Sequence, residues 1–97
     1  PPYIPYKDIR NLSKDIISYE PISALNGGND GLDLIKKVIY KSTRLLKKSG
    51  LLAIEIGTKQ YISVSNLLAR QGFKIISKEY DNKDNVRCII STKVRFF

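Results

Sequence analysis

Ninety-seven residues make about one small domain, and an apolar fraction of 42% is ordinary for a globular chain. A single cysteine, Cys88, excludes an internal disulfide and a cysteine-based metal site, and the absence of histidine excludes zinc sites and His-dependent triads within the chain. Seventeen Lys and Arg against nine Asp and Glu give a net charge of +8; this is compatible with proximity to RNA or the ribosome, but the basic residues are spread along the chain and define no nucleic-acid patch.

The first third, residues 1–31, reads as irregular. Pro1, Pro2, Pro5 and Pro21 punctuate it, and Asn26-Gly27-Gly28-Asn29-Asp30-Gly31 closes it. Ile9, Leu12 and Ile16 recur at helical spacing, which predicts a short helical turn within residues 8–17. So long a stretch without regular structure in a compact domain points to a functional segment. The chain has no methionine and opens on Pro-Pro-Tyr, so it is expected to be a piece of a longer protein.

Residues 32–46 carry a helical pattern. Leu34, Ile35, Val38, Ile39, Leu45 and Leu46 form an apolar stripe, with Lys36, Lys37, Lys41 and Arg44 mostly opposite. Asn29 or Asp30 is placed to cap its start, Lys47 and Lys48 to meet the negative end of its dipole, and Gly50 to end it. Residues 51–56 (LLAIEI) are almost continuously apolar, as in a strand of a parallel sheet covered on both faces. Gly57 breaks that run, Thr58 is expected to cap a helix over residues 59–71, and Gly72 stops it. Residues 73–80 and 86–92 are two strand-like runs, and their five-residue connector is too short for a crossover helix. They must be antiparallel neighbours. Cys88, in the second of these runs, is expected to be a small core residue. Helix, buried strand, helix, then an antiparallel hairpin resembles the C-terminal half of a Rossmann-like methyltransferase fold, class α/β. No apolar run approaches a membrane span and no signal peptide is visible, so a cytoplasmic, reducing location and no membrane partner are expected.

Pro1-Pro2-Tyr3 is the first candidate site. Consecutive prolines present carbonyls without competing N–H donors on a backbone of fixed φ, and Tyr3 offers a flat face for a planar amide or base. A rigid loop entry or polyproline-type linker explains the same three residues. The longer series resolves more: Pro-Pro-Tyr-Ile-Pro, Asp8-Ile9, Leu12, Tyr19-Glu20-Pro21, Ala24-Leu25, Gly27-Gly28, Asp30-Gly31-Leu32, Gly50, Glu55-Ile56-Gly57, Gln60, Gly72-Phe73 and Asp81 with Arg87. This series resembles the HemK/PrmC family of protein-(glutamine-N5) methyltransferases, which act on peptide chain release factors, and the resemblance runs from Pro1 to about Ser91.

The resemblance implies a class I fold, S-adenosylmethionine as methyl donor and a release-factor glutamine as substrate. It implies that the Pro1 carbonyl accepts a hydrogen bond from the substrate amide, that Pro2 shapes the turn and that Tyr3 packs on the amide. The family's Asn falls just before Pro1, and its cofactor-binding glycine-rich turn lies further upstream. The segment alone is therefore expected to be inactive, with no cofactor-binding residue of its own. Gly27-Gly28-Asn29-Asp30-Gly31 follows no strand and fails the context of a dinucleotide loop.

Glu20 lines the substrate cleft by family analogy, or is a loop carboxylate bonded to backbone amides. Glu55, at the carboxyl end of its strand, faces the ligand edge of an open α/β sheet or has a structural role. Arg87 is expected to pair with Asp81 or Asp84 across the hairpin.

One domain segment is expected, with a substrate-motif loop region at 1–31, a helix–strand–helix–hairpin unit at 32–92 and a tail at 93–97. Two other functions fit parts of the pattern: methylation of an exocyclic amine in DNA or RNA, and a non-catalytic α/β interaction module. A three-stranded sheet of residues 51–56, 73–80 and 86–92 would leave an apolar edge exposed, so the isolated segment is expected to self-associate or be marginally stable.

Overall fold

The computed structural model describes residues 15–20 and 32–94 of the chain. In order, they form β1 (Ile16–Tyr19), α1 (Leu32–Leu45), β2 (Leu51–Glu55), α2 (Tyr61–Arg70), β3 (Phe73–Tyr80) and β4 (Val86–Lys93). The four strands make one sheet in the order β1-β2-β4-β3. Strand β1 is parallel to β2, while β4 runs antiparallel to both its neighbours and sits between them. The expected mixed α/β architecture with a terminal antiparallel hairpin is what the chain adopts.

Strand β1 was not foreseen. Residues 16–19 do not continue a helical turn, and the edge of β2 is not left open. Two β-branched isoleucines favour an extended backbone, and pairing satisfies the row of N–H and C=O groups along β2 that would otherwise be bare. The alternation of a strand also sends Ile17 to the larger core cluster and Ile16 to the smaller one on the opposite face. Helical spacing counted only Ile16. The remainder of the predicted turn, residues 8–14, lies outside the described residues. The edge on which self-association was expected to rest is occupied by β1.

Strand β2 is as apolar as its surroundings demand. Leu51, Leu52, Ala53 and Ile54 are all buried, and Glu55 is exposed at its end. One face of the sheet packs both described helices: Leu52, Ile54 and Ile89 meet Ile35 and Ile39 of α1 and Val64 and Leu68 of α2. Each such side chain removed fully from water contributes roughly 1.5–3 kcal/mol before chain entropy is counted. The α1 stripe is narrower than its apolar residues suggest. Ile35 and Ile39 are buried with Ser42, whose hydroxyl donates to the Val38 carbonyl (2.7 Å), whereas Leu34 and Leu45 are exposed.

Helix ends are closed differently from expectation. Ser49, not Gly50, takes the left-handed conformation after α1 (φ 70°). Gly50 is needed for space: a Cβ there would lie 2.6 Å from Asp15 Oδ2 and 2.9 Å from the Lys47 carbonyl. Asp15 holds this corner. Its carboxylate accepts the Lys47 N–H (2.8 Å) and its carbonyl accepts the Leu51 N–H (2.8 Å), which ties β1 to the end of α1.

Lys93, expected in the tail, is the last residue of β4. It is 5% exposed, and its ammonium donates to the carbonyls of Thr43 and Leu46 at the end of α1. Helix α2 begins at Tyr61 with Gln60 as its cap residue, not Thr58. The Gln60 side chain turns back to accept the Gly57 N–H (2.8 Å) and so closes the turn after β2. Gly72 takes φ 85° after α2, as a helix-terminating glycine should.

Candidate functional site

The register of the sheet builds the site. Glu55 of β2 pairs with Cys88 of β4, and Cys88 in turn pairs with Glu79 of β3. Tyr19 pairs with Ile54, so one further residue brings Glu20 beside Glu55. Paired residues point to the same side of a sheet. Glu55, Cys88 and Glu79 therefore form a row across β2, β4 and β3, with Glu20, the residue after β1, next to it at the carboxyl end of the parallel pair β1 and β2. That is the edge where open α/β sheets receive ligands.

The row forms one wall of a cleft of about 360 Å³, which Tyr19, Tyr80, Asp81 and Arg87 also line. Among the described residues the side chains of Glu20, Glu55 and Glu79 make no hydrogen bond or ion pair. Like charges set side by side across strands cost stability, and among the described residues none of the three is in a salt bridge. Both Glu20 and Glu55, for which a cleft-lining and a structural reading were weighed, are among the residues that line this cleft.

Arg87 does not neutralise the row, because it is committed elsewhere. Its Nε donates to the Ile56 carbonyl (3.0 Å), and one terminal nitrogen lies 3.7 Å from Asp81. The expected pair across the hairpin is thus with Asp81. Asp81 itself is the pin of the β3–β4 turn, where its carboxylate accepts the N–H groups of Asn85 (3.0 Å) and Lys83 (2.8 Å). Those two bonds hold its carboxyl below the ordinary aspartate value of 3.8, with Arg87 adding a smaller pull in the same direction. Beyond Asp81 and Arg87 a second hollow of about 530 Å³ opens, lined by Thr58, Lys59 and Lys83 among others.

Cys88 is half-buried: it packs against the smaller core cluster of Leu51, Ala53 and Ile90, as expected of a small core residue, and also lines the cleft. Burial, followed by the charges of Glu79, Glu55 and Glu20, pushes its thiol up to about 12. A thiol so placed stays protonated near neutral pH and is a poor nucleophile. Among the described residues no group of three or more His, Cys, Asp and Glu could hold a metal ion, and no helix is long and apolar enough to cross a membrane. Pro1, Pro2 and Tyr3 lie outside the described residues. Glu79 and Tyr80 were missed in the sequence because a strand end gives no motif; only the register against β4 brings them to Glu55.

No family model matches the chain. Several curated proteins do. It is 43% identical over 88 residues to the release factor glutamine methyltransferase of Clostridium acetobutylicum, covering 89% of this chain and 31% of that protein. To the enzyme of the same name from Thermodesulfovibrio yellowstonii it is 38% identical over 95 residues, covering 96% of this chain and 34% of the relative. The chain thus spans about a third of the length of the relatives it matches. Among solved structures, the protein-(glutamine-N5) methyltransferase (release factor-specific) of Alicyclobacillus acidocaldarius superposes with a TM-score of 0.61 at 20% identity, over 89% of this chain and 52% of that one. That identity speaks for the fold alone, and the fold is that of a class I methyltransferase. The curated matches carry the rest: the chain belongs to the HemK/PrmC family of methyltransferases.

Proposed function

We propose that this chain forms the C-terminal, substrate-facing part of an S-adenosylmethionine-dependent methyltransferase that modifies the side-chain nitrogen of a glutamine in a peptide chain release factor. The observation that carries the reading is the row of unpaired carboxylates, with two tyrosines, at the carboxyl edge of a sheet whose sequence matches enzymes of that name across nearly its whole length. An amide nitrogen is a weak nucleophile because its lone pair is delocalised, so its orientation toward the methyl donor has to be fixed by acceptors. Pro1 is proposed to supply one acceptor through its carbonyl, with Pro2 setting the turn and Tyr3 stacking on the amide plane. Orientation of this kind is worth several kcal/mol of barrier. Glu20 and Glu55 are proposed to face the peptide around the target residue and to accept its N–H groups.

Bound S-adenosylmethionine would supply the methyl group, but the described residues offer it no main site. Gly57 is the one glycine of a strand–turn–helix passage among them, and its N–H is already taken by Gln60. The 97 residues alone are proposed to be inactive for that reason. Titration of the isolated chain with S-adenosylmethionine should show no binding; micromolar affinity would refute this part.

For the activity itself, the longer protein containing this chain is incubated with labelled S-adenosylmethionine and either a release-factor fragment or an oligonucleotide. Label on a glutamine of the release factor is expected. Label on the nucleic acid would reject the reading in favour of a base exocyclic-amine methyltransferase, and label on neither would favour a non-catalytic module.

A further inference from the structure

Helices α1 and α2 lie side by side on one face of the sheet, and between them a groove of about 410 Å³ opens on the surface. Ile39 and Leu67 form its floor, and Tyr40, 56% exposed, stands at its rim. The Arg44 guanidinium lies 5.5 Å from the Tyr40 ring centroid, within reach of the ring face. Lys36, Lys37 and Lys41 line the same groove, all exposed, and among the described residues none of them is in an ion pair. The two helices carry a single acidic residue, Asp33, in the first turn of α1. Among the described residues, an apolar floor with an aromatic rim and three ammonium groups outside any ion pair is therefore exposed.

We infer that this groove is a docking site for an acidic amphipathic helix of a partner protein, a role separate from methyl transfer. Helix-in-groove recognition takes its affinity from apolar anchors at successive turns and its orientation from charge at the rim. The floor has room for such anchors, and the lysines complement carboxylates on the flanks of the incoming helix. A nucleic acid would satisfy the lysines through phosphate, but it would leave the apolar floor and Tyr40 face unused. The floor favours protein over nucleic acid.

The test uses an isotope-labelled sample of the protein and three probes: a Leu- and Glu-rich amphipathic helical peptide of about five turns, the same peptide with Lys for Glu, and a uridine oligonucleotide. The acidic peptide should shift the amide resonances of residues 36–41 and 67–71, and the basic peptide should not. Two variants separate the forces: Lys36→Glu/Lys37→Glu/Lys41→Glu, and Tyr40→Ser at an exposed position. Each should weaken the acidic peptide by about tenfold or more. The inference is overturned if the acidic peptide does not bind, if its binding survives Tyr40→Ser, or if the basic peptide binds as well. It is equally overturned if the oligonucleotide shifts the same resonances with an affinity that Tyr40→Ser leaves unchanged, since that would assign the groove to phosphate.

Discussion

Replacing Lys93 by methionine keeps an unbranched apolar stem but removes the ammonium that closes α1. In the native structure that ammonium donates to the carbonyls of Thr43 and Leu46 from a side chain only 5% exposed. Hydrogen bonds to a charged donor contribute roughly 1.5–3 kcal/mol each, and a partly buried cation at a helix C-terminus up to about 2 kcal/mol. Against this stands the desolvation of the ammonium, which the methionine relieves. The balance is an expected loss of about 2–4 kcal/mol, a large share of the roughly 5–15 kcal/mol that holds a domain together. For a domain of this size it corresponds to a fall in Tm of about 10–20 °C, read by circular dichroism or calorimetry. Lys48→Met is the control. Lys48 is near the same helix end but exposed, and its removal should cost less than about 0.5 kcal/mol. Equal Tm values for Lys93→Met and the wild type, or an equal fall in both variants, would refute the assignment of α1 closure to Lys93.

The hydroxyl of Ser65 on α2 is buried without a hydrogen-bond partner among the described residues, so Ser65→Ala should leave Tm unchanged or raise it, and a clear fall would show a partner that matters. Asp81 contributes to stability through a carboxyl held below its ordinary value of 3.8; that contribution is complete above the ordinary value and is lost as pH falls through the lowered one. Asp81→Ala should therefore be less stable than the wild type at neutral pH and converge with it in strong acid, and a gap that persists in acid would contradict the linkage. The Cys88 thiol, pushed up to about 12, should react with a thiol reagent at pH 8 far more slowly in the folded protein than after unfolding; equal rates would exclude the buried setting. The same shift means that stability falls as pH rises from the ordinary value of 9.0 toward 12, because only the unfolded thiol ionises readily there.

Where the chain's own residues decide their surroundings, reading the sequence sufficed. The continuous apolar run at 51–54 could only be a strand covered on both faces, and a five-residue connector forced β3 and β4 to be antiparallel. Reading failed where a partner distant in sequence decides. Ile16 and Ile17 become a strand because β2 offers them an edge 35 residues away in register, Ile16 to Leu51 and Ile17 to Leu52. Lys93 looked like the start of a basic tail, while the lysines that looked like the cap of α1, Lys47 and Lys48, are exposed. Helix-end chemistry was assigned to neighbours in sequence, and the fold assigned it to a neighbour in space. For the cleft, Glu20 and Glu55 were recognisable one at a time. Their alignment with Glu79 depends on three ladders and on the register shifts in β3, which no local pattern encodes.

The net charge of +8 illustrates the same point for electrostatics. Counted over the sequence, the basic residues are dispersed and suggest no patch. Folded, α1 gathers Lys36, Lys37, Lys41 and Arg44 on exposed positions, and the carboxyl edge gathers Glu20, Glu55 and Glu79, none of them in a salt bridge among the described residues. Two like-charged regions so close in one small domain each cost stability through self-repulsion. A domain that needed only to fold would gain by interleaving those charges, as surfaces of mixed sign do. Their segregation, with tyrosines at both places, is the physical argument behind the two proposed recognition surfaces of opposite sign: an acidic one at the ligand edge of the sheet and a basic one across its helices.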